Sequence, residues 1–375
     1  MSMETSTSPE DVGIDSQRLR HAFTLLQQWL DSGMVGAVGA LVMRRGMIAG
    51  EYYGGRIAPG QAAMVDRTSL FHLASIGKPM AALGVMLLVE QGSVTLDEPV
   101  AHILPAFAGQ GRDGISVRQL LCHTSGLAQD PDLSGVPAGS DTADELRTYV
   151  AALPVVPIGS KVEYSNVGYG LLGLIIEAVS GMPFATYMHE RLFAPADMSH
   201  AYLAPAEALY PRIVHVAGTP EPGGPYERFN SAHARRQTHP AGNIVGTPRD
   251  VATFLKLFLN QGRAGMRQVA APATMQQMIT SQTDGLRGGI EGFMTWDDCA
   301  WGLGFDLRGR KRPHFSGDFT SPHTFGHTGV AGTFAWADPT RDLVCVMLAN
   351  QMLYNRWNTP HWARFSTAVT AALVE

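Results

Sequence analysis

Apolar side chains recur every three or four positions between residues 16 and 31, placing Leu19, Phe23, Leu26 and Leu30 on one face, and that spacing predicts an amphipathic helix. The pattern then shortens to that of strands. Residues 35–43 and 47–53 are rich in β-formers, and Arg44-Arg45-Gly46 between them reads as the turn of a hairpin. Helical spacing returns over residues 75–91, with Met80, Leu83, Leu87 and Leu88 inward and Gly92 as the stop. From there to about residue 240 the chain reads as helical segments broken by Pro/Gly loops. The strongest of them, residues 167–179, ends at Ser180-Gly181. Thr247-Pro248-Arg249-Asp250 opens another helix, with Thr247 as its cap and Pro248 in the first helical position. Residues 300–307, 332–337 and 343–349 read as strands, the last two joined by a turn at Asp338-Pro339, and a final helix starts at Thr359-Pro360. Strands at both ends with helices between them predict that the two ends share one sheet.

Composition adds limits to this outline. With 375 residues, 45% of them hydrophobic and 16% charged, the chain can bury one large core or two smaller ones. A formal net charge of -5 gives no general pull toward nucleic acid or an anionic membrane, so neither is expected as a partner. No apolar run approaches the ~18 residues of a spanning helix. The Ser/Thr-rich, acidic first ten residues lack the basic start and apolar stretch of a secretory signal, which predicts a cytoplasmic location. Cys122, Cys299 and Cys345 fit neither a disulfide framework nor a zinc site and read as buried thiols. The residues set no oligomeric state.

Charge usage singles out one position. Of 28 basic residues only Lys78, Lys161, Lys256 and Lys311 are lysines, which leaves 28 minus 4, or 24, arginines. Where any positive charge serves, this chain uses arginine. Lys78 nevertheless stands in an otherwise almost uncharged run, residues 71–80, and a lysine kept there points to the property arginine lacks, loss of its proton on desolvation. Pro79 would clash with the carbonyl four residues back, that of Ser75, so the helix is expected to begin near Ser75. Residues three apart share a helix face. The Lys78 amine can then reach the Ser75 hydroxyl, while free N–H groups of the first turn are open to a developing anion. This is a nucleophile with a base beside it, provided that desolvation or nearby cations lower a lysine whose reference pKa is about 10.4.

Ser-x-x-Lys alone is common by chance, and Thr253-Phe254-Leu255-Lys256 is a near copy read as a surface lysine with a snorkelling stem. Two other segments supply company. Tyr164 and Asn166 stand two apart before the helix at Val167 and can point the same way, the phenol to relay a proton and the amide to bind a substrate carbonyl. Taken alone, they fit an interfacial tyrosine beside a helix cap better. Gly326-His327-Thr328-Gly329-Val330-Ala331-Gly332 is a Gly-flanked extended segment that lets a substrate lie close against a strand, or is simply a turn before an edge strand.

In order and spacing, Ser75-x-x-Lys78, Tyr164-x-Asn166 and His327-Thr328-Gly329 resemble the three motifs of the serine β-lactamase and penicillin-binding superfamily. The likeness is nearest to its class C β-lactamase-like branch, which includes the family VIII carboxylesterases and related D-peptidases. Leu120-Leu-Cys-His-Thr-Ser-Gly-Leu127 and residues 242–250 also look like that branch. The resemblance implies an α/β (α+β) fold, an antiparallel sheet flanked by helices plus a mostly helical domain. Residues 1–74 and 241–375 would form the first part and residues 75–240 the second, with the site between them. It further implies Ser75 as the acylated nucleophile, Lys78 and Tyr164 as the proton-transfer pair, and Asn166 as a substrate contact. The oxyanion hole would be the N–H groups of Ser75 and of Val330, the residue after Gly329.

One position departs from the family. The third motif usually carries Lys-Thr-Gly, whose cation helps hold a substrate carboxylate, whereas here it carries His327, an imidazole mostly neutral at pH 7 and more charged toward pH 6. Small carboxylic esters are therefore the expected substrates, and a serine carboxylesterase the expected enzyme, with no cofactor and no metal. A β-lactamase or D-peptidase, an acyltransferase of the same fold and a penicillin-binding sensor that acylates without turnover are the alternatives.

Other chemistries find less support. An α/β-hydrolase needs Gly-x-Ser-x-Gly, yet the residue two before Ser75 is Leu73. His323 and His327 are four apart in an extended Gly/Pro-rich region, where that spacing does not converge on zinc as it would on a helix. Cys122 and His123 are adjacent and tend to point apart. The basic run Arg308-Gly-Arg-Lys-Arg312 reads as a solvated hairpin tip.

Overall fold

The first apolar stripe becomes α1 (Ser16–Asp31), capped by Asp15, whose side chain accepts Arg18 N–H at 2.8 Å. It buries Leu19, Leu26 and Trp29, leaving Phe23 and Leu30 half-buried at the edge of the stripe. The computed structural model describes residues 5, 6, 8–132, 140–218, 229–352 and 358–374. After α1 comes the hairpin of β1 (Ala37–Arg44) and β2 (Met47–Gly55), turned by Arg45 and Gly46 at φ 52° and 75°. Two successive left-handed residues are what a two-residue hairpin turn requires.

The other end of the chain completes the sheet. Strands β3 (Asp306–Leu307), β4 (Phe325–Gly329), β5 (Thr333–Asp338) and β6 (Leu343–Ala349) join the hairpin in the order β3-β4-β5-β6-β1-β2, with every neighbouring pair antiparallel. Val38 through Arg44 pair with Ala349 through Leu343, so the two chain ends do share one sheet. On β1, Val38, Ala40 and Val42 pack into one cluster with Phe334, Trp336 and Met347, together with α1 and α5 (Asn358–Ala371). Ala37, Leu41 and Met43 face the opposite core. Cover on both faces explains why β1 reads as a continuous apolar run instead of alternating.

The stretch expected as a strand over residues 300–307 forms one only at its end. Trp301 and Leu303 are fully buried, and Gly304, at φ 96°, lies so close to α2 (Gly77–Glu90) that a Cβ there would stand 2.6 Å from the Ala82 side chain. Core packing overrides strand pairing here. The helix predicted from Ser75 is likewise divided: a 3₁₀ turn, Ala74–Ile76, precedes α2, which is buried from Gly77 through Leu88 and so has no solvent face.

Beside α2 runs α3 (Asn166–Ser180), capped by the Ser165 hydroxyl on Gly168 N–H at 2.9 Å and ended by Gly181 at φ 69°. A Cβ on Gly84 of α2 would stand 2.9 Å from Met188 Sδ and 3.2 Å from Ile176 Cδ1, so a larger residue would have to displace those side chains. Next, α4 (Pro248–Leu259) opens with the expected cap, reinforced by Asp250, and its Lys256 amine donates to the Gly46 carbonyl at 2.8 Å. A small sheet fastens the segment before α3 to the later chain: Val162–Glu163 runs parallel to Gly288–Ile290, which pairs with Met294–Trp296. The three cysteines are free and buried. Among the described residues no single helix is long and apolar enough to cross a membrane.

Candidate active site

Ser75 occupies the 3₁₀ turn before α2, following Ala74 at φ 48°, a conformation unusual for a residue with a Cβ. The turn is clamped from the sheet. Thr333 Oγ1 donates to the Leu73 carbonyl at 3.2 Å, and a Cβ on Gly329 would lie 2.6 Å from that same oxygen. Glycine at 329 thus lets β4 approach the serine turn.

Lys78, the second residue of α2 and one turn after Ser75, is fully buried. Its Nζ donates to Ser75 Oγ at 3.0 Å and to the Ala241 carbonyl at 2.8 Å, and it lies 4.8 Å from the centre of the Tyr164 ring. Tyr164, 5% exposed, lines the same cavity as Ser75, and its phenol is near enough for the serine hydroxyl to act on it. Burial pushes that phenol's pKa up, so it is a proton donor at neutral pH. The three groups converge as the motifs imply.

The cavity they open onto has a volume of about 330 Å³. Its walls include Tyr149, Phe229, Phe293, Asp130 and Glu291, and its described lining holds no arginine or lysine. Asn166 also lines it, its amide N–H donating to Asp130 Oδ1 at 2.7 Å. On β4 the alternation of a strand divides the third motif. Thr328, with Val330 just beyond the strand, lines the cavity, while His327 and Gly329 do not.

His327 is therefore not the wall residue expected of a substrate contact. It is 3% exposed and sits behind Tyr164, ring centres 6.0 Å apart, with Nδ1–H donating to the Thr328 carbonyl at 2.6 Å. Burial, helped by Lys78, lowers its pKa to about 4. The imidazole stays neutral at pH 6 as well as at pH 7, which corrects the expectation that mild acid would charge it.

The basic run after β3 is corrected too. Arg310 is exposed, but Lys311 is buried, its amine 2.5 Å from Asp306 Oδ1 and over the rings of Trp296 and Trp301 at 4.5 and 4.9 Å. His314 Nε2 lies 3.3 Å from the same carboxylate oxygen, and burial lowers its pKa. Asp306, although buried, is held down to about 2 by Lys311 and His314. This ion cluster is structural, a fixed charge in the layer beneath His327 and Trp301.

Sequence reasoning missed His239 and Tyr149. His239 Nδ1 accepts Ala241 N–H at 3.0 Å, so its proton is on Nε2 and points to Tyr149 Oη, 2.8 Å away, which in turn donates to Glu145 at 2.9 Å. The chain of bonds fixes Ala241, whose carbonyl holds Lys78. Only the position of residues 239–241 just before the family-like segment at 242–250 hinted at it. Among the described residues no group of His, Cys, Asp and Glu is arranged to hold a metal.

A serine turn clamped against an antiparallel sheet, with a buried lysine and tyrosine converging on the hydroxyl, defines a serine hydrolase of the β-lactamase/transpeptidase-like class. The β-lactamase family model matches residues 23–365, and the chain belongs to that family. A "Putative D-alanyl-D-alanine carboxypeptidase" of Escherichia coli strain K12 is 26% identical over 386 residues, 92% of this chain and 85% of its own. Among solved structures, a penicillin-binding protein homolog from Caulobacter crescentus matches with TM-score 0.81 at 23% identity, over 96% of this chain and 99% of that one. A family VIII carboxylesterase matches with TM-score 0.81 at 21% identity, over the same shares. At such identities the two structures speak for the fold alone.

Proposed function

We propose that this protein is a carboxylesterase acting on small esters that lack a carboxylate, through an acyl-enzyme on Ser75. The observation that carries the ester reading is the cavity lining: two acidic side chains, Asp130 and Glu291, and no arginine or lysine among the described residues. A β-lactam or a peptide ending in D-alanine brings a carboxylate that such walls repel. The neutral His327 behind Tyr164 offers it no compensating cation.

In the proposed cycle, Lys78 takes the Ser75 proton as Oγ bonds to the ester carbonyl carbon. The oxyanion forms between the N–H groups of Ser75 and Val330, donors of a kind typically worth ~10² to 10³ in rate. As the intermediate collapses, the C–O bond to the alcohol breaks, and the proton returns to the leaving oxygen through the Tyr164 hydroxyl. Water then enters, gives its proton to the same pair, and releases the acid. Asn166, held by Asp130, offers a hydrogen bond to the acyl portion.

A p-nitrophenyl ester series run beside nitrocefin, with intact mass followed in parallel, tests this. Turnover of the acetate or butyrate should exceed that of nitrocefin in kcat/KM by at least ~10²-fold, since a missing charge-assisted contact alone is commonly worth ~1.5 to 3 kcal/mol. Nitrocefin turnover as fast as ester turnover would establish the β-lactamase reading. A single stoichiometric burst with a stable mass adduct would establish the sensor.

A further inference from the structure

Tyr164 meets Ser75 from a short segment whose backbone is held on both sides by one residue far upstream. The His123 carbonyl accepts Glu163 N–H at 2.8 Å, and its ring Nδ1 accepts Ser165 N–H at 3.0 Å. The amides on either side of Tyr164 are thus tied to a single side chain and its own backbone. Both acceptors face the same way because His123 adopts φ 61°, the left-handed region in which histidine is several-fold enriched among non-glycine residues. The imidazole is fully buried, with its ring centre 4.5 Å from that of Tyr164 and 5.1 Å from that of Trp301 on another side. A ring nitrogen that accepts carries no proton, so the hydrogen of His123 sits on Nε2. Burial, then the nearby Lys78, keep its pKa well below the ordinary value.

We infer that His123 is a positioning residue for the acyl-transfer step: it brackets Tyr164 between two hydrogen bonds and a ring contact, so that the phenol stays on Ser75 and Lys78. The inference rests on the proton-transfer role proposed for Tyr164. Nothing in it requires His123 to touch substrate.

Kinetics with p-nitrophenyl butyrate test it, using variants at 123 alone and combined with Tyr164→Phe. His123→Ala should lower kcat about 10²-fold with KM within ~3-fold, because a small displacement of a reacting group is that costly. His123→Asn, which tolerates the left-handed backbone and can present Oδ1 to Ser165 N–H, should recover to within ~5-fold of wild type. On a Tyr164→Phe background His123→Ala should cost less than ~2-fold, since no phenol remains to be aimed. A general folding defect would instead lower activity alike in both backgrounds. An Asn variant as poor as Ala, or a full loss in the Phe background, overturns the inference while leaving the role of Tyr164 intact. An active Tyr164→Phe removes that role, and with it the inference. Should the Ala variant fail to fold, ¹⁵N NMR of the wild-type imidazole decides: an Nε2–H tautomer unchanged from pH 5.5 to 8.5 supports the bracket, and an Nδ1–H tautomer or a titrating ring overturns it.

Discussion

Two of the four lysines in this chain are fully buried, and their neighbours assign them opposite work. Lys78 donates to a serine hydroxyl and a backbone carbonyl, whereas Lys311 meets a carboxylate at 2.5 Å and two indole faces. A carboxylate partner fixes the proton on the amine; a hydroxyl partner gives the amine something to deprotonate. Burial alone therefore does not identify a catalytic lysine. The group it faces does. Lys78 stands over the Tyr164 ring and Lys311 over the Trp301 ring, and these two rings pack against each other and against His123 and His327, so one connected set of rings joins the two sites.

The largest effects test the Lys78 half of this contrast. Ser75→Ala should lose at least ~10³-fold in kcat, and Lys78→Arg, which keeps the charge but gives up the removable proton, should be nearly as damaging as Lys78→Ala. An active Lys78→Arg would mean that the lysine only supplies charge. A phosphonate ester should add its mass to Ser75 alone, read by peptide mass spectrometry.

Lys311 should respond in stability instead. Lys311→Met leaves Asp306 buried without its ion partner, a change that commonly costs ~3 to 5 kcal/mol, and the paired variant Lys311→Met/Asp306→Asn should recover much of it in denaturant unfolding. Among folded molecules, kcat should stay within about 10-fold of wild type. A larger kinetic loss in the stable double variant would place Lys311 in the chemistry.

Three buried histidines, His123 and His327 among the connected rings and His72 elsewhere, against Phe229, predict a smaller, pH-linked effect. Burial lowers the pKa of His72 to about 3 and of His327 to about 4, and pushes His123 well below its ordinary value. The native state holds these rings neutral, so below the unfolded value of about 6.5 the unfolded chain binds protons first. Their contribution is complete above that pH and falls as pH drops toward the folded values. At pH 6 each should cost on the order of 1 kcal/mol, roughly 2 to 3 kcal/mol for the three, visible as a lower denaturant midpoint than at pH 7.5. Equal midpoints would show that the rings are charged in the folded protein. The smallest expected effect is none: the ratio of nitrocefin to ester turnover should change less than ~2-fold between pH 7.5 and 6, because His327 does not titrate there.

These contrasts separate what was legible in the residues from what was not. Ser75, Lys78, Tyr164 and Asn166 carry local spacing rules, and the turn, helix face and cap that aim them are set within a few positions of each. Thr247 with Pro248, and Arg45 with Gly46, were legible for the same reason. Lys311 was not, because a basic run looks solvated until Asp306 and the indoles of Trp296 and Trp301 are brought over it by the tertiary fold. His123 and His239 escaped for a related cause: their partners lie about 40 and 90 positions away in the chain, at Ser165 and Tyr149. The placement of His327 behind Tyr164 follows from strand alternation on β4, which a Gly-flanked segment did not announce as a strand.

The sheet also has a history during synthesis. β1, buried along its whole length, lies between β2 and β6, and the partner for its second edge ends at Ala349. At ~5 to 20 residues per second, the ribosome needs roughly 15 to 60 s to travel from Arg44 to that point. For this interval the N-terminal hairpin must carry an apolar strand with one row of amide and carbonyl groups unanswered, the kind of edge that pairs with other chains. The long-range closure also gives the protein a high contact order, which slows folding. Chaperone cover, or low local concentration, would lower that hazard until the last strand emerges.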